Sequence, residues 1–93
     1  MKIIYKYPIE HVSNGSRNII PIQKGAQILD IEYQGTQLTI WALVEKDAPL
    51  EDNEFVIFST GHTDPLLDDP NLVYLASAQH HTHFLHVFKL EKS

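Results

Sequence analysis

The chain has no cysteine, and that absence alone removes both a disulfide framework and any thiolate-held metal or redox centre. It fits a reducing cytosol. No apolar run approaches the ~18 residues that would cross a bilayer as a helix. The opening residues MKIIYKYPIE are interrupted at Lys6 and Pro8, so they do not read as a signal peptide. Bases are scarce: seven lysines and arginines stand against twelve acids, a formal charge of −5. That balance gives no fold-wide attraction to DNA or RNA. Neither a membrane nor nucleic acid is therefore expected as a partner. Also missing are a glycine-rich phosphate loop, a carboxylate pair in a known frame, and the glycines of a nucleophile elbow around Ser59 or Ser77. Catalysis is not expected, and no cofactor is implied.

What is present is apolar sequence arranged with period two. With 93 residues the chain is read as one β domain, 1–93, with a single modest core. Its centre is Gln37 to Glu45 (QLTIWALVE). Leu38, Ile40, Ala42 and Val44 line one face; Thr39, Trp41 and Leu43 line the other. A strand apolar on both faces belongs inside a sheet with cover on each side. Lys2 to Ile9 alternates with Ile3, Tyr5, Tyr7 and Ile9 on one face. Asn18 to Ile22 is held to an edge by Pro21. Ala26 to Tyr33 turns Leu29, Ile31 and Tyr33 inward and forms a hairpin with the central strand through Gln34-Gly35-Thr36.

After the acidic loop KDAPLEDN, Glu54 to Thr60 is again apolar on both parities and is expected beside the central strand. Gly61 to Asn71 is irregular, with room for one helical turn over Pro65 to Asp68. Leu72 to Gln79 and His83 to Glu91 close the chain through a turn at His80 to Thr82. Seven strands, short connections and no amphipathic helix predict an all-β fold, a small antiparallel β-sandwich or partly closed barrel.

On the last strand the expected core face is Phe84, His86, Phe88 and Leu90, with His86 a core histidine bonded to backbone. Leu85 and Val87 then point outward with Ile4, as a subunit interface or beneath a covering loop. If the first and last strands pair, Lys2, Lys6, Lys89 and Lys92 make one basic edge, which also reads as simple protection of an edge strand.

Four of six histidines fall at His80, His81, His83 and His86. Imidazoles at alternate strand positions can share a metal, but here His81 and His83 face away from His86 and no carboxylate joins them, so no metal site is assigned. Thr60-Gly61-His62-Thr63-Asp64 offers a second candidate. Gly61 permits a left-handed backbone with outward N–H groups, Thr60 and Thr63 add hydroxyls, and His62 adds a donor; such a nest holds phosphates or carboxylates. The same residues also suit a loop whose side chains cap its own backbone.

MKIIYKYPIE, IWALVEKDAP, STGH and FLHVFKLE, in this order and at this spacing, resemble a family of small uncharacterised proteins of tailed bacteriophages and prophages. The matching positions are Lys2-Ile3, Trp41-Ala42-Leu43-Val44, Asp47-Ala48-Pro49, Gly61-His62 and His86-Val87-Phe88. The family pattern has small or glycine residues in the final hairpin where this chain has His81-Thr82, which argues against a functional role for His81. The resemblance carries no catalytic motif. It implies a phage accessory protein in the host bacterial cytoplasm that opposes host defence as a homo-oligomer, trapping a small anionic nucleotide signal in pockets between subunits. In such a pocket Trp41 or Tyr74 would stack on a base. Thr60, Gly61, His62 and Thr63, with His83 and Lys89, would meet phosphate. The alternative is an acidic inhibitor that binds a host protein, or a minor virion component, using the acids of 45–54 and 64–69.

Overall fold

The computed structural model describes residues 1–91, without the side chains of His80 and His83. The strands are β1 (Lys2–Pro8), β2 (Arg17–Gln23), β3 (Gln27–Gln34), β4 (Gln37–Glu45), β5 (Leu50–Ser59), β6 (Leu72–His80) and β7 (His83–Leu90), with a 3-10 turn at Pro65–Asp68. They form two antiparallel sheets, one ordered β1-β4-β3 and the other β2-β5-β7-β6. Of the two architectures expected, the protein adopts the open sandwich.

The apolar periodicity explains the interior. Leu38, Ile40, Ala42 and Val44 on β4 meet Phe55 and Ile57 on β5, Ala78 on β6, and Leu85 and Val87 on β7, and all are buried. β4 lies between β1 and β3, as a strand apolar on both parities should. β2 is an edge strand, where the N–H that Pro21 lacks is not needed by a second neighbouring strand. The segment between β1 and β2 is tied down by Asn18. Its amide donates to His11 O (2.8 Å) and its Oδ1 accepts from His11 N (3.0 Å), so this buried side chain is satisfied.

Several expectations are corrected. β5 does not flank the central strand: it pairs with β2 and β7 and faces β4 across the core. β5 also begins at Leu50, so the acids of 51–54 are on a paired strand rather than in a loop. Among the described residues no second layer covers the outer parity of β4; Trp41 and Leu43 are half-buried there. β1 and β7 are in different sheets, so Lys2, Lys6 and Lys89 make no common edge, and Lys92 lies outside the described residues. Leu29 is not inside. The β3–β4 register shifts between Ile28 and Asp30, Leu29 is the bulged residue, and Ile28 packs against the core instead.

The largest correction concerns β7. Leu85 and Val87 are in the core, while Phe84, His86 and Phe88 face out. Both parities of β7 are apolar, so hydrophobicity alone could not choose. The pairings decide it: Val87 lies opposite Ile57 on β5 and Ala76 on β6, aliphatic side chains that belong to or pack against the core between the sheets. The rings pack on one another instead, with Phe88 edge-on to Phe58 (centroids 5.6 Å) and to Tyr74 (5.0 Å).

Candidate functional site

The outer face of the four-stranded sheet gathers the chain's chemistry. Phe58 on β5, His86 on β7 and Ser77 on β6 are cross-strand neighbours, and Val56, Phe88 and Tyr74 form the adjacent row. Thr60 lies two residues beyond Phe58, so it continues the same face just where β5 ends. There the chain turns: His62 N bonds Ser59 O at 3.4 Å, and Gly61 takes φ +87°. A positive φ at the third turn position is what a type II turn requires, and glycine supplies it without strain.

His86 is held at both ring nitrogens. Thr60 Oγ1 is 2.7 Å from Nε2, and the Tyr74 hydroxyl is 3.0 Å from Nδ1. A neutral imidazole donates through one nitrogen and accepts through the other. One hydroxyl must therefore donate to it while the other receives, and the receiving hydroxyl keeps its own O–H for a further acceptor. Phe84 (centroids 5.4 Å) and Tyr74 (5.8 Å) flank the imidazole with tilted rings. Tyr74 and Phe84 remain 51% and 44% exposed, so two ring surfaces stay open to an incoming planar group. On the β2 side Arg17 is paired with Glu54 and brings no uncompensated charge.

Not every residue singled out from the sequence joins this cluster. Thr60 and Tyr74 do, linked by His86. Gly61, His62 and Thr63 follow directly in the exposed loop. Asp64 is occupied as a cap: its Oδ1 accepts from Leu66 N at 2.9 Å and starts the 3-10 turn. Trp41 stands on the outer face of the other sheet, between Lys6 and Asp30, so it and Tyr74 cannot share a ligand within one protomer. Lys89 has the parity of Val87, pairs with Phe55, and lines a cleft of ≈ 340 Å³ with Glu51, Asp52 and Glu54; it does not reach Thr60's face. His83 pairs with His80 across the final turn, its side chain outside the described residues. No cluster of three or more metal-ligating side chains occurs among the described residues.

The residue missed from the sequence was His86, assigned there to the core. The signal was on β6: Tyr74, Ser77 and Gln79 are exposed beside half-buried or buried Leu75, Ala76 and Ala78. The pattern skips one position because the β6–β7 register shifts between Tyr74 and Ala76.

A second cleft, ≈ 570 Å³, opens along β1 and β2 between Tyr7, Arg17, Ile19 and Pro21. Tyr7 bridges the two sheets there through a 2.6 Å hydrogen bond to Gln23 Oε1. Burial, and then the neighbouring Tyr5, raise the Tyr7 phenol above its ordinary range.

By fold and site this is a small two-sheet antiparallel β-sandwich with an open aromatic and histidine face on its larger sheet. A domain of unknown function, DUF7352, matches residues 1–93, and the chain belongs to that family. No curated protein and no solved structure matches it. No helix among the described residues is long and apolar enough to cross a membrane.

Proposed function

We propose that the protein is a non-catalytic binding module that holds a small anionic, ring-bearing ligand of nucleotide type on the outer face of its larger sheet. In the setting that its sequence resemblance suggests, it is a phage accessory that sequesters a nucleotide immune signal in the host cytoplasm as a homo-oligomer. The observation that carries the reading is the Thr60–His86–Tyr74 chain, whose spare hydroxyl donor lies beside two open rings. An aromatic surface takes a base, and adjacent hydroxyl and loop donors take phosphate oxygens. A net negative charge does not forbid this, since acids beyond the ~8 Å Debye length are largely screened. Thr60, Tyr74, Phe84 and His86 belong to one protomer, so this reading asks for no subunit boundary, unlike the pockets between subunits that the resemblance implies.

A hydroxyl on Nε2 and an oxygen on Nδ1 also outline an acyl-transfer triad. Here, however, a neutral phenol replaces the carboxylate that would stabilise an imidazolium. Binding is the better fit. The competing reading, an acidic surface that blocks a basic host protein, draws on the exposed Glu51 and Asp52. Calorimetry with a panel of cyclic and linear signalling nucleotides tests the proposal. Heat with at least one, abolished by His86→Ala and Thr60→Val, supports it. No heat with any of them, together with a stoichiometric host protein in a pull-down, would replace it with the acidic-surface reading.

A further inference from the structure

The outer face of the three-stranded sheet has an order that the ligand reading does not use. Its register sets Lys6, Trp41 and Asp30 in one row across β1, β4 and β3. The next rows are Pro8, Thr39 and Glu32 on one side and Ile4, Leu43 and Gln27 on the other. A column with Lys2 and Lys6 thus runs down β1 and a column with Asp30 and Glu32 down β3; between them β4 presents Thr39, Trp41 and Leu43 and ends at Glu45, whose carboxylate is already paired with the Met1 amino group (2.8 Å). Ile4 is 57% exposed, and Trp41 and Leu43 are only half-buried. Lys6 reaches across β4 to Gln34 Oε1 (3.0 Å), a neutral amide that leaves its charge uncompensated.

We propose that a second copy of this chain docks on this face, about a two-fold axis lying along β4. Charge polarity across the strands selects both the occupant and the axis. Rotation about an axis parallel to β4 lays the β1 column of one copy over the β3 column of the other. Lys6 then faces the partner's Asp30, the partner's Lys6 faces Asp30, and Trp41 meets the partner's Trp41. An in-plane axis across the strands would put lysine on lysine and acid on acid. A two-fold contact is self-complementary by construction, and this face is self-complementary in one orientation only. Three short strands cover less than the ~1,600 Å² of a standard interface, which places the contact among the small ones, where weak and transient complexes are found. The inference is independent of the ligand reading, because this face lies across the sandwich from His86.

The experiment is sedimentation equilibrium on the intact chain from about 1 to 300 µM, with tryptophan emission recorded alongside. Trp41 is the sole tryptophan, so its emission reports this face alone. The mass should rise from 10.7 kDa toward twice that value as the emission shifts to the blue. Lys6→Glu and Asp30→Lys, both at exposed positions, should each weaken association roughly tenfold or more, and the double reversal should restore it to within about threefold. Lys6→Glu leaves the core untouched, whereas Asp30→Lys also removes the hydrogen bond that Asp30 Oδ1 accepts from Ile31 N (2.9 Å), so urea unfolding of each variant accompanies the mass measurement. A constant monomer mass throughout the range overturns the proposal. So does association that ignores both single reversals, or that fails to return in the double variant. The nucleotide titration is unaffected by any of these outcomes.

Discussion

Val87 tests the facing of β7 most directly. It is fully buried between Ile57 on β5 and Ala76 on β6. Val87→Ala removes two methyl groups, about 1.6 kcal/mol at roughly 0.8 kcal/mol each. If the surrounding side chains stay in place, the vacated ~40 Å³ adds about 1 kcal/mol at roughly 24 cal/mol per Å³. The expected loss is therefore about 2–3 kcal/mol. Val73→Ala is the matched control: the same chemistry on the neighbouring strand, at a residue 38% exposed and opposite Lys89. Its methyls are already partly hydrated, so about 1 kcal/mol or less is expected. Urea unfolding gives both values, provided the slope m is shared with the parent. Domains of this size hold roughly 5–14 kcal/mol, so both variants should stay folded. In a thermal scan their midpoints should differ by about 5 °C or more. A slip of one residue would exchange Leu85 and Val87 for Phe84 and His86 on the inner face. Were Val87→Ala to cost under about 1 kcal/mol, the inward facing of Val87 would be wrong; a Val73→Ala cost equal to it would mean only that this end of the sheet is better covered than its 38% exposure shows.

Two further outcomes follow from single contacts. Tyr7→Phe removes the hydrogen bond to Gln23 that joins the sheets, and should cost about 1 kcal/mol at neutral pH by denaturant titration. Because burial raises the Tyr7 pKa in the folded state, its contribution is complete below the unfolded phenol value of about 10 and is lost as pH climbs through the folded value. The parent should therefore lose stability above pH ~10 more steeply than Tyr7→Phe; equal slopes would show that Tyr7 is not the group responsible. His81 holds φ +55° in the β6–β7 turn, a region that disfavours side chains. His81→Gly should relieve about 1–2 kcal/mol of backbone cost against an entropic loss of about 0.5–1. A midpoint raised by a few degrees is expected, and a lowered one would contradict the turn geometry.

The fold was legible where one parity is polar and illegible where neither is. Of the face expected to carry Ile3, Tyr5, Tyr7 and Ile9, the last three reach the core, because Lys2 and Lys6 mark the other side, while Ile3 at the start of β1 stays exposed. β4 was recognisable as central from its two apolar faces. The same two-faced character misled on β5 and β7: the expected pairing of β5 with the central strand and the expected inward facing of Phe84, His86 and Phe88 are both reversed. A strand at the centre of either sheet of a sandwich shows the same pattern, and only long-range pairing separates them. Bulges at Leu29 and Leu75 then offset the count of two, which is why Leu29 was misplaced.

The candidate site was half legible for a related reason. Thr60 and Gly61 carry local signals, a hydroxyl and a φ-permissive residue after a strand end. Tyr74 is the one residue with a polar group in the apolar run Leu72 to Ala76. His86 had none, because a histidine among phenylalanines reads as core until the phenylalanines prove to be outside. Once they are, the two outer faces call for different partners. The larger sheet offers rings around a doubly bonded imidazole, a surface suited to one planar polar molecule. The smaller sheet offers Trp41 and Leu43 between columns of opposite charge, which suits a broad surface of matching polarity, and the simplest such surface is its own image. The proposed ligand on one face and the proposed twin on the other would not compete for a single residue, so a variant at Lys6 should leave nucleotide heats unchanged while a variant at His86 leaves the sedimenting mass unchanged.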